Sequence, residues 1–330
     1  MIARRTFLST FCPWVLLATS RRGFAQQRKV WRVGFLALPA RPEPLEASRF
    51  GAFVRGMREL GYVESDNLKI EWRFAGGDFA RLRELAAELV AVKVDIIVGG
   101  ATPVIRAAQS ATSTIPIVMA PTNDPVGSGL VESLVRPGGN ITGLTNLSTD
   151  LSPKIVELLR SIVPNAMRVT ILSNPENPSN AAILDNLRTE MGRVGMTGLV
   201  VEATTEQKIE AAFANIGVRS AQAMIVAPDS LFVEQRRQIA ELALKLRLPS
   251  ICEFREHVEA GALLSYGQNL ADGYRRTATF VDKIFKGGTP SELPIEQSTK
   301  LELVVNLKTA KALGITISPA LLARADEVIE

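Results

Sequence analysis

From residue 30 onward, short apolar runs alternate with stretches whose apolar residues recur every three or four positions. Val30–Leu38 predicts a strand, and Phe50, Phe53, Val54 and Met57 then fall at i, i+3, i+4 and i+7 of a helix. Asn67–Phe74 predicts a second strand, with Leu82, Leu85, Ala86 and Leu89 repeating the helical spacing. Val94-Asp95-Ile96-Ile97-Val98 is almost continuously apolar, as in a parallel strand covered on both faces. A helix from about 102 to 110 and strands at Ile115–Met119 and Ile141–Thr145 complete this half.

The second half repeats the scheme. Helix 151–163 leads to strand Arg168–Leu172 and a helix carrying Ile183, Leu187 and Met191. Strand Leu199–Ala203 precedes a helix striped by Ile209, Ala212, Phe213 and Ile216. Strand Ala223–Ala227 precedes a helix with Ile239, Leu242, Ala243 and Leu246, and strands follow at Pro249–Glu253 and Ala262–Tyr266. Helix 269–286 stops at Lys286-Gly287-Gly288, and strand Leu301–Asn306 with helices near 308–313 and 319–329 forms the tail. Repeated βα units require parallel sheets with right-handed crossovers. The fold class is therefore α/β, with two doubly wound parallel-sheet lobes. The boundary between them is expected at Thr145–Pro153, where Thr, Asn, Ser and Asp crowd together.

The first 25 residues follow neither pattern. Arg4 and Arg5 precede an apolar run centred on Val15-Leu16-Leu17-Ala18, and Gly23 and Ala25 are small residues at a cleavage position. This is the form of a cleavable export signal, of either the general or the twin-arginine kind, and it predicts a periplasmic protein. The chain has 38 basic and 34 acidic residues, and Arg4, Arg5, Arg21 and Arg22 account for the whole excess. With no basic patch left, nucleic acid is not an expected partner. Cys252 is the one cysteine beyond the signal, so no intrachain disulfide is expected. The lone His257 and Cys252 cannot make a His/Cys-rich metal site, which leaves only an all-oxygen site open. His257 is expected on a surface helix.

In open parallel sheets, ligands bind beyond the carboxyl ends of the strands. After the third strand stands Gly99-Gly100-Ala101-Thr102-Pro103, where Thr102 is expected to cap a helix whose free amides could hold an anion. After the fourth comes the polar turn Thr122-Asn123-Asp124. In the second half the tips are Ser173-Asn174-Pro175-Glu176-Asn177, Pro228-Asp229-Ser230, Glu253-Phe254-Arg255 and Ser265-Tyr266-Gly267. Asp229 could cap the helix that begins near Leu231. Glu253, at the end of an apolar strand, could meet an ammonium group or pair with Arg255 or Arg236. No Gly-x-Ser-x-Gly elbow, phosphate-binding loop or dinucleotide fingerprint is present, so no catalytic residue and no cofactor are expected.

Several segments resemble the ABC-transporter substrate-binding proteins of the tryptophan/tyrosine-transport type. They are Phe53-Val54-Arg55-Gly56-Met57-Arg58-Glu59-Leu60-Gly61-Tyr62-Val63-Glu64, Asp124-Pro125-Val126, Arg136-Pro137-Gly138-Gly139-Asn140-Ile141-Thr142-Gly143 and Glu253-Phe254-Arg255-Glu256. Gly261–Tyr266 and Val305–Gly314 belong with them. The resemblance implies a type I periplasmic-binding-protein fold with three hinge crossings. It divides the chain into lobes at 26–147 plus about 268–300 and 148–267 plus about 301–330. It also implies an aromatic or other amino acid, or a related carboxylate, as ligand, and an ABC permease with its ATPase as partners of a monomer. Joined to the strand-tip reading, it sets the ligand carboxylate against Gly100, Ala101 and Thr102 and the ammonium against Asp229 or Glu253. Asn174, Thr122, Asn123 and Asp124 would add polar contacts, and Tyr266 or Phe35 would line the side-chain pocket. A ligand-sensing module for a membrane receptor and a periplasmic enzyme on the same scaffold are the other readings.

Overall fold

A computed structural model describes residues 29–146, 148–218, 221–297 and 299–330, so the predicted export signal lies outside the described residues. The first lobe opens with β1 (Trp31–Ala37), α1 (Arg49–Glu59), β2 (Leu68–Phe74) and α2 (Arg81–Ala91). It continues through β3 (Ile96–Gly99), α3 (Thr102–Ala111), β4 (Ile117–Asn123) and β5 (Ile141–Asn146). The second lobe runs through α4 (Ser152–Ile162), β6 (Arg168–Ser173), α5 (Asn180–Arg193), β7 (Thr197–Glu202), α6 (Glu206–Val218) and β8 (Ala223–Val226). Next come α7 (Ser230–Glu234), α8 (Arg236–Lys245), β9 (Ser250–Cys252), α9 (Arg255–Glu259) and β10 (Leu264–Gln268). The chain then contributes α10 (Leu270–Phe285), β11 (Glu296–Gln297), β12 (Leu301–Asn306), α11 (Leu307–Leu313), α12 (Pro319–Leu322) and β13 (Glu327–Ile329).

Among the described residues the strands form two sheets, ordered β11-β5-β4-β3-β1-β2 and β13-β12-β10-β9-β8-β6-β7. Helices cover both faces of each, as a parallel sheet requires. Alternate residues of β1 show how: Val33 and Phe35 enter a core with Phe50, Phe53 and Met57 of α1, whereas Leu36 enters the opposite core with Leu85 and Leu89 of α2. The second sheet is covered likewise by α4 and α5 on one face and α6 to α8 on the other.

The chain from α10 onward departs from simple alternation. Although α10 follows β10 of the second sheet, it packs on the first lobe, where Tyr274, Ala278, Val281 and Phe285 join Phe35, Phe53 and Met57. Trp31 stacks on Phe285 with ring centroids 4.0 Å apart. Tyr62 donates its hydroxyl proton to Asp282 Oδ1 at 2.9 Å. The approach of α10 to α1 is so close that a Cβ on Gly56 would be built into the Arg275 carbonyl oxygen. On the other side of α10, a Cβ on Gly273 would collide with the Pro121 ring.

Three expectations need correction. Helix 319–329 is a single turn, because Val328 and Ile329 pair instead with Val305 and Asn306 at the open edge of β12. β12 runs antiparallel to β10, because the chain re-enters the second lobe at the sheet edge where β10 left it. His257 is 2 % exposed, and burial pushes its pKa down to about 4. It stays neutral inside the second lobe.

Gly56→Ala tests the contact that brings α10 home. Alanine should gain about 1 kcal/mol of helix propensity. Wedging α1 off α10 should cost about 1–3 kcal/mol or more. A lowered thermal midpoint is expected; an unchanged or raised one would contradict the close approach.

Candidate functional site

Both sheets present their carboxyl edges to each other, and a cavity lined by both lobes lies between them. Arg49, Ala101, Thr102, Pro121, Asn123 and Asn146 line it from the first lobe. Asn177, Ser179, Pro228, Asp229, Ser230, Val233 and Phe254 line it from the second, and Leu270 and Tyr274 of α10 close it. Through Ser230 it meets a wider groove walled by Pro39 and Phe79 on one lobe and Glu206 and Glu234 on the other.

Asp229 is the buried carboxylate of this cavity. Its Oδ1 accepts the Leu231 amide at 2.9 Å, so the residue does cap α7, and also accepts Asn174 Nδ2 at 3.2 Å. Asn177 Nδ2 donates to Oδ2 at 2.8 Å. Burial pushes the Asp229 pKa up despite these three donors, which oppose the shift. Asn174 is thus placed behind Asp229 as its support and does not line the cavity.

On the facing lobe, α3 begins at Thr102 after Ala101, which adopts φ +78°. That conformation is uncommon for a residue with a Cβ and holds the turn at the cavity wall. Ala101, not Thr102, occupies the capping position, since Thr102 already lies in the helix and donates its hydroxyl to the Asn123 carbonyl at 3.2 Å. The first amides of a helix have no intrahelical acceptor, so the Thr102 N–H has none within α3. Gly100 stands beneath the Tyr274 hydroxyl, where a Cβ would strike the phenolic oxygen, and does not line the cavity. The guanidinium of Arg49 lies 5.8 Å from the Tyr274 ring centroid.

Several predicted contacts point elsewhere. The Thr122 hydroxyl donates to the Ala120 carbonyl of its own strand at 2.8 Å. Asp124 forms a turn, accepting the Gly127 amide at 2.8 Å. Phe35 is fully buried in the first-lobe aromatic core, and Tyr266 packs at the edge of a second-lobe core. Glu253 faces Ser148 and an apolar recess lined by Leu151, Ile155 and Ile183 instead of the cavity. Arg255 has gone to Glu259, Glu302 and Glu327.

Glu253 instead joins a polar chain across the interlobe connection. Ser148 Oγ lies 2.7 Å from Glu253 Oε1 and 2.6 Å from Asn123 Oδ1. Asn123 Nδ2 reaches Ser179 Oγ at 3.5 Å, and Ser179 donates to Asn177 Oδ1 at 2.8 Å. One hydroxyl has one proton, so Ser148 cannot donate to both neighbours. A proton on Glu253 resolves this, letting Glu253 donate to Ser148 and Ser148 donate to Asn123. Burial pushes the Glu253 pKa up to about 7, with the Ser148 bond opposing.

Of the lining residues, Arg49, Asn146, Ser179, Val233, Leu270 and Tyr274 escaped prediction. Ser179 follows the predicted tip at 173–177, and Asn146 lies in the predicted lobe boundary just after strand Ile141–Thr145. Nothing local marks Tyr274, which reaches the cavity because α10 crosses back. Among the described residues no group of three His, Cys, Asp or Glu gathers to hold a metal, and no helix is long and apolar enough to cross a membrane.

Residues 43–329 match the family described as ABC transporter substrate binding protein. The chain is 26 % identical over 299 residues to a "Tyrosine-binding protein" of Clostridioides difficile, covering 90 % of this chain and 85 % of that protein. It superposes on the ABC domain of Streptococcus pneumonia in complex with L-Trp with TM-score 0.84 and 25 % identity, covering 91 % of this chain and all of that one. A substrate-binding protein with adhesive properties from Clostridium difficile, in its ligand-free, open structure, gives TM-score 0.64 at 26 % identity over 91 % of this chain and 99 % of that one.

The Glu253 arrangement makes a signed prediction. Its pKa is raised above the ordinary glutamate value, so the stabilisation it gives is complete below about pH 4.5 and is lost as pH rises through about 7. Glu253→Gln, permanently neutral, should match the wild type at pH 4. At pH 8 it should be more stable, by up to about 3 kcal/mol. Thermal midpoints across this range check it, and parallel curves for the two proteins would refute it.

Proposed function

We propose, from the premise that this chain belongs to the family of ABC transporter substrate-binding proteins, that it captures an aromatic amino acid between its lobes in the periplasm. It then hands the ligand, chemically unchanged, to a membrane permease whose ATPase drives import. The observation that carries this reading is the arrangement of charge in the interlobe cavity. Asp229, buried with a lone pair free on Oδ2, suits an ammonium group. Opposite it, the first turn of α3 and the Arg49 guanidinium suit a carboxylate. Tyr274, Phe254, Leu270 and Val233 leave an apolar wall for a ring. The TM-scores of 0.84 with an L-Trp complex and 0.64 with an open, ligand-free relative support reading the present arrangement as the closed one.

In this reading the functional contacts are Ala101, Thr102, Asn123 and Asp229, with Asn174 and Asn177 holding the Asp229 carboxylate. Closure removes water from around the charged pairs and strengthens them, so binding and closure are coupled. Residues 1–25 direct export, and the protein acts as a monomer. The Tyr and Trp ligands of the relatives set the class to be tested first.

Thermal-shift and calorimetric titration with L-tryptophan, L-tyrosine, aliphatic amino acids and plain carboxylates tests the proposal. A true ligand at a hundredfold its Kd should add about 2.7 kcal/mol of stability. Asp229→Asn keeps a good helix cap but removes the charge. It should weaken an amino acid by about 2–3 kcal/mol, read on the folded variant, because its Nδ2 no longer accepts the Asn177 amide. Unchanged affinity in this variant would place the ammonium elsewhere.

A further inference from the structure

Asn146 ends β5, lines the interlobe cavity and is 8 % exposed. Its Oδ1 is buried without a hydrogen-bond partner. The other two cavity amides are already engaged: Asn123 Oδ1 accepts from Ser148, and Asn177 receives Ser179 and donates to Asp229. A buried acceptor left unpaired costs free energy that a donor brought by a ligand recovers.

We infer that Asn146 is a specificity-determining residue whose Oδ1 takes an uncharged hydrogen-bond donor on the ligand's side chain, a phenolic hydroxyl or an indole N–H. The reasoning is one of matched charge. Asp229 supplies the carboxylate that faces the ammonium, and Arg49 and α3 supply the complement of the ligand carboxylate. Among the cavity amides, what remains is the neutral Asn146 acceptor, buried in a cavity that also has an aromatic and aliphatic wall. A ring bearing its own N–H or O–H satisfies both at once. A bare phenyl ring would fill the space yet leave Oδ1 dry and unpaired. Sites built to receive a hydrogen-bond donor reject the analogue that lacks it far more strongly than an apolar pocket rejects a change of size. The inference rests on the aromatic-amino-acid reading above and deepens it.

The test is calorimetric titration of the mature protein and of Asn146→Leu with two ligand pairs. L-Tyrosine is compared with L-phenylalanine, and L-tryptophan with 3-benzothienyl-L-alanine, in which sulfur replaces the indole N–H. The wild type should prefer the donor-bearing member of at least one pair by about tenfold or more, and the pair that shows the preference identifies the donor. Asn146→Leu should bring that ratio close to one by weakening the donor-bearing ligand alone. The ligand-free thermal midpoint should stay level or rise, since leucine of similar size removes the unpaired oxygen. Asn146→Ala serves the same purpose if leucine does not fold. The inference is overturned if the ratio survives in the variants, if both members weaken equally, or if the wild type binds each pair without preference. If the wild type binds none of the four amino acids, the aromatic reading itself fails and the role of Asn146 falls with it; binding without discrimination removes only that role.

Discussion

The packing of α10 on α1 is the contact on which the rest of the molecule depends. It draws the chain back from the second lobe after β10 and seats it on the first, where Gly56 and Gly273 allow backbone-close approach on two sides. The chain therefore passes between lobes after Asn146, at Gln268–Leu270 and between Gln297 and Leu301. These three connections join two mainly parallel sheets whose carboxyl edges line one cavity. Strand tips carry the polar groups that a loop can satisfy, so facing edges bring those groups together around one volume.

That volume is electrically economical. Among the described residues Asp229 is held by three neutral donors and no cation, which leaves its buried carboxylate to meet an incoming cation. Arg49 stands over an aromatic ring on the other lobe. The groups nearest the interlobe connection are knitted into a chain from Glu253 through Ser148 and Asn123 to Ser179 and Asn177, spanning both lobes. This chain couples the relative position of the lobes to the residues that hold Asp229. Each element is ordinary; their convergence is what the fold supplies.

Most of the fold was legible because its signals are local. Continuous apolar runs such as Ile96-Ile97-Val98 and helical stripes such as Leu82, Leu85, Ala86 and Leu89 depend only on neighbours in sequence. The strand-tip rule likewise named Ala101, Thr102, Asn123 and Asp229, which line the cavity, because it needs only strand ends. It could not say which way each tip side chain points. Thr122 and Asn123 are adjacent residues of one strand, and the pleat sends one inward to Ala120 and the other to the cavity. Glu253 sits at a strand tip as predicted, but Ser148, from the connection after β5, captures it. Tyr274 was out of reach altogether, since its place follows from a long-range return of the chain that no local pattern encodes. The C-terminal strand β13 was hidden for the same reason: an open edge on β12 decided it, not the propensity of residues 319–329.

The central claim is that one small molecule is gripped by the strand tips of both lobes together. Hydrogen–deuterium exchange, with and without saturating L-tryptophan or L-tyrosine, tests it most directly. The account predicts simultaneous protection of the β3–α3 turn around Ala101, of the connection around Asn146, and of the β8–α7 turn around Asp229, with the outer helices α2 and α6 unchanged. Protection confined to one lobe, or absent from all three segments, would contradict it.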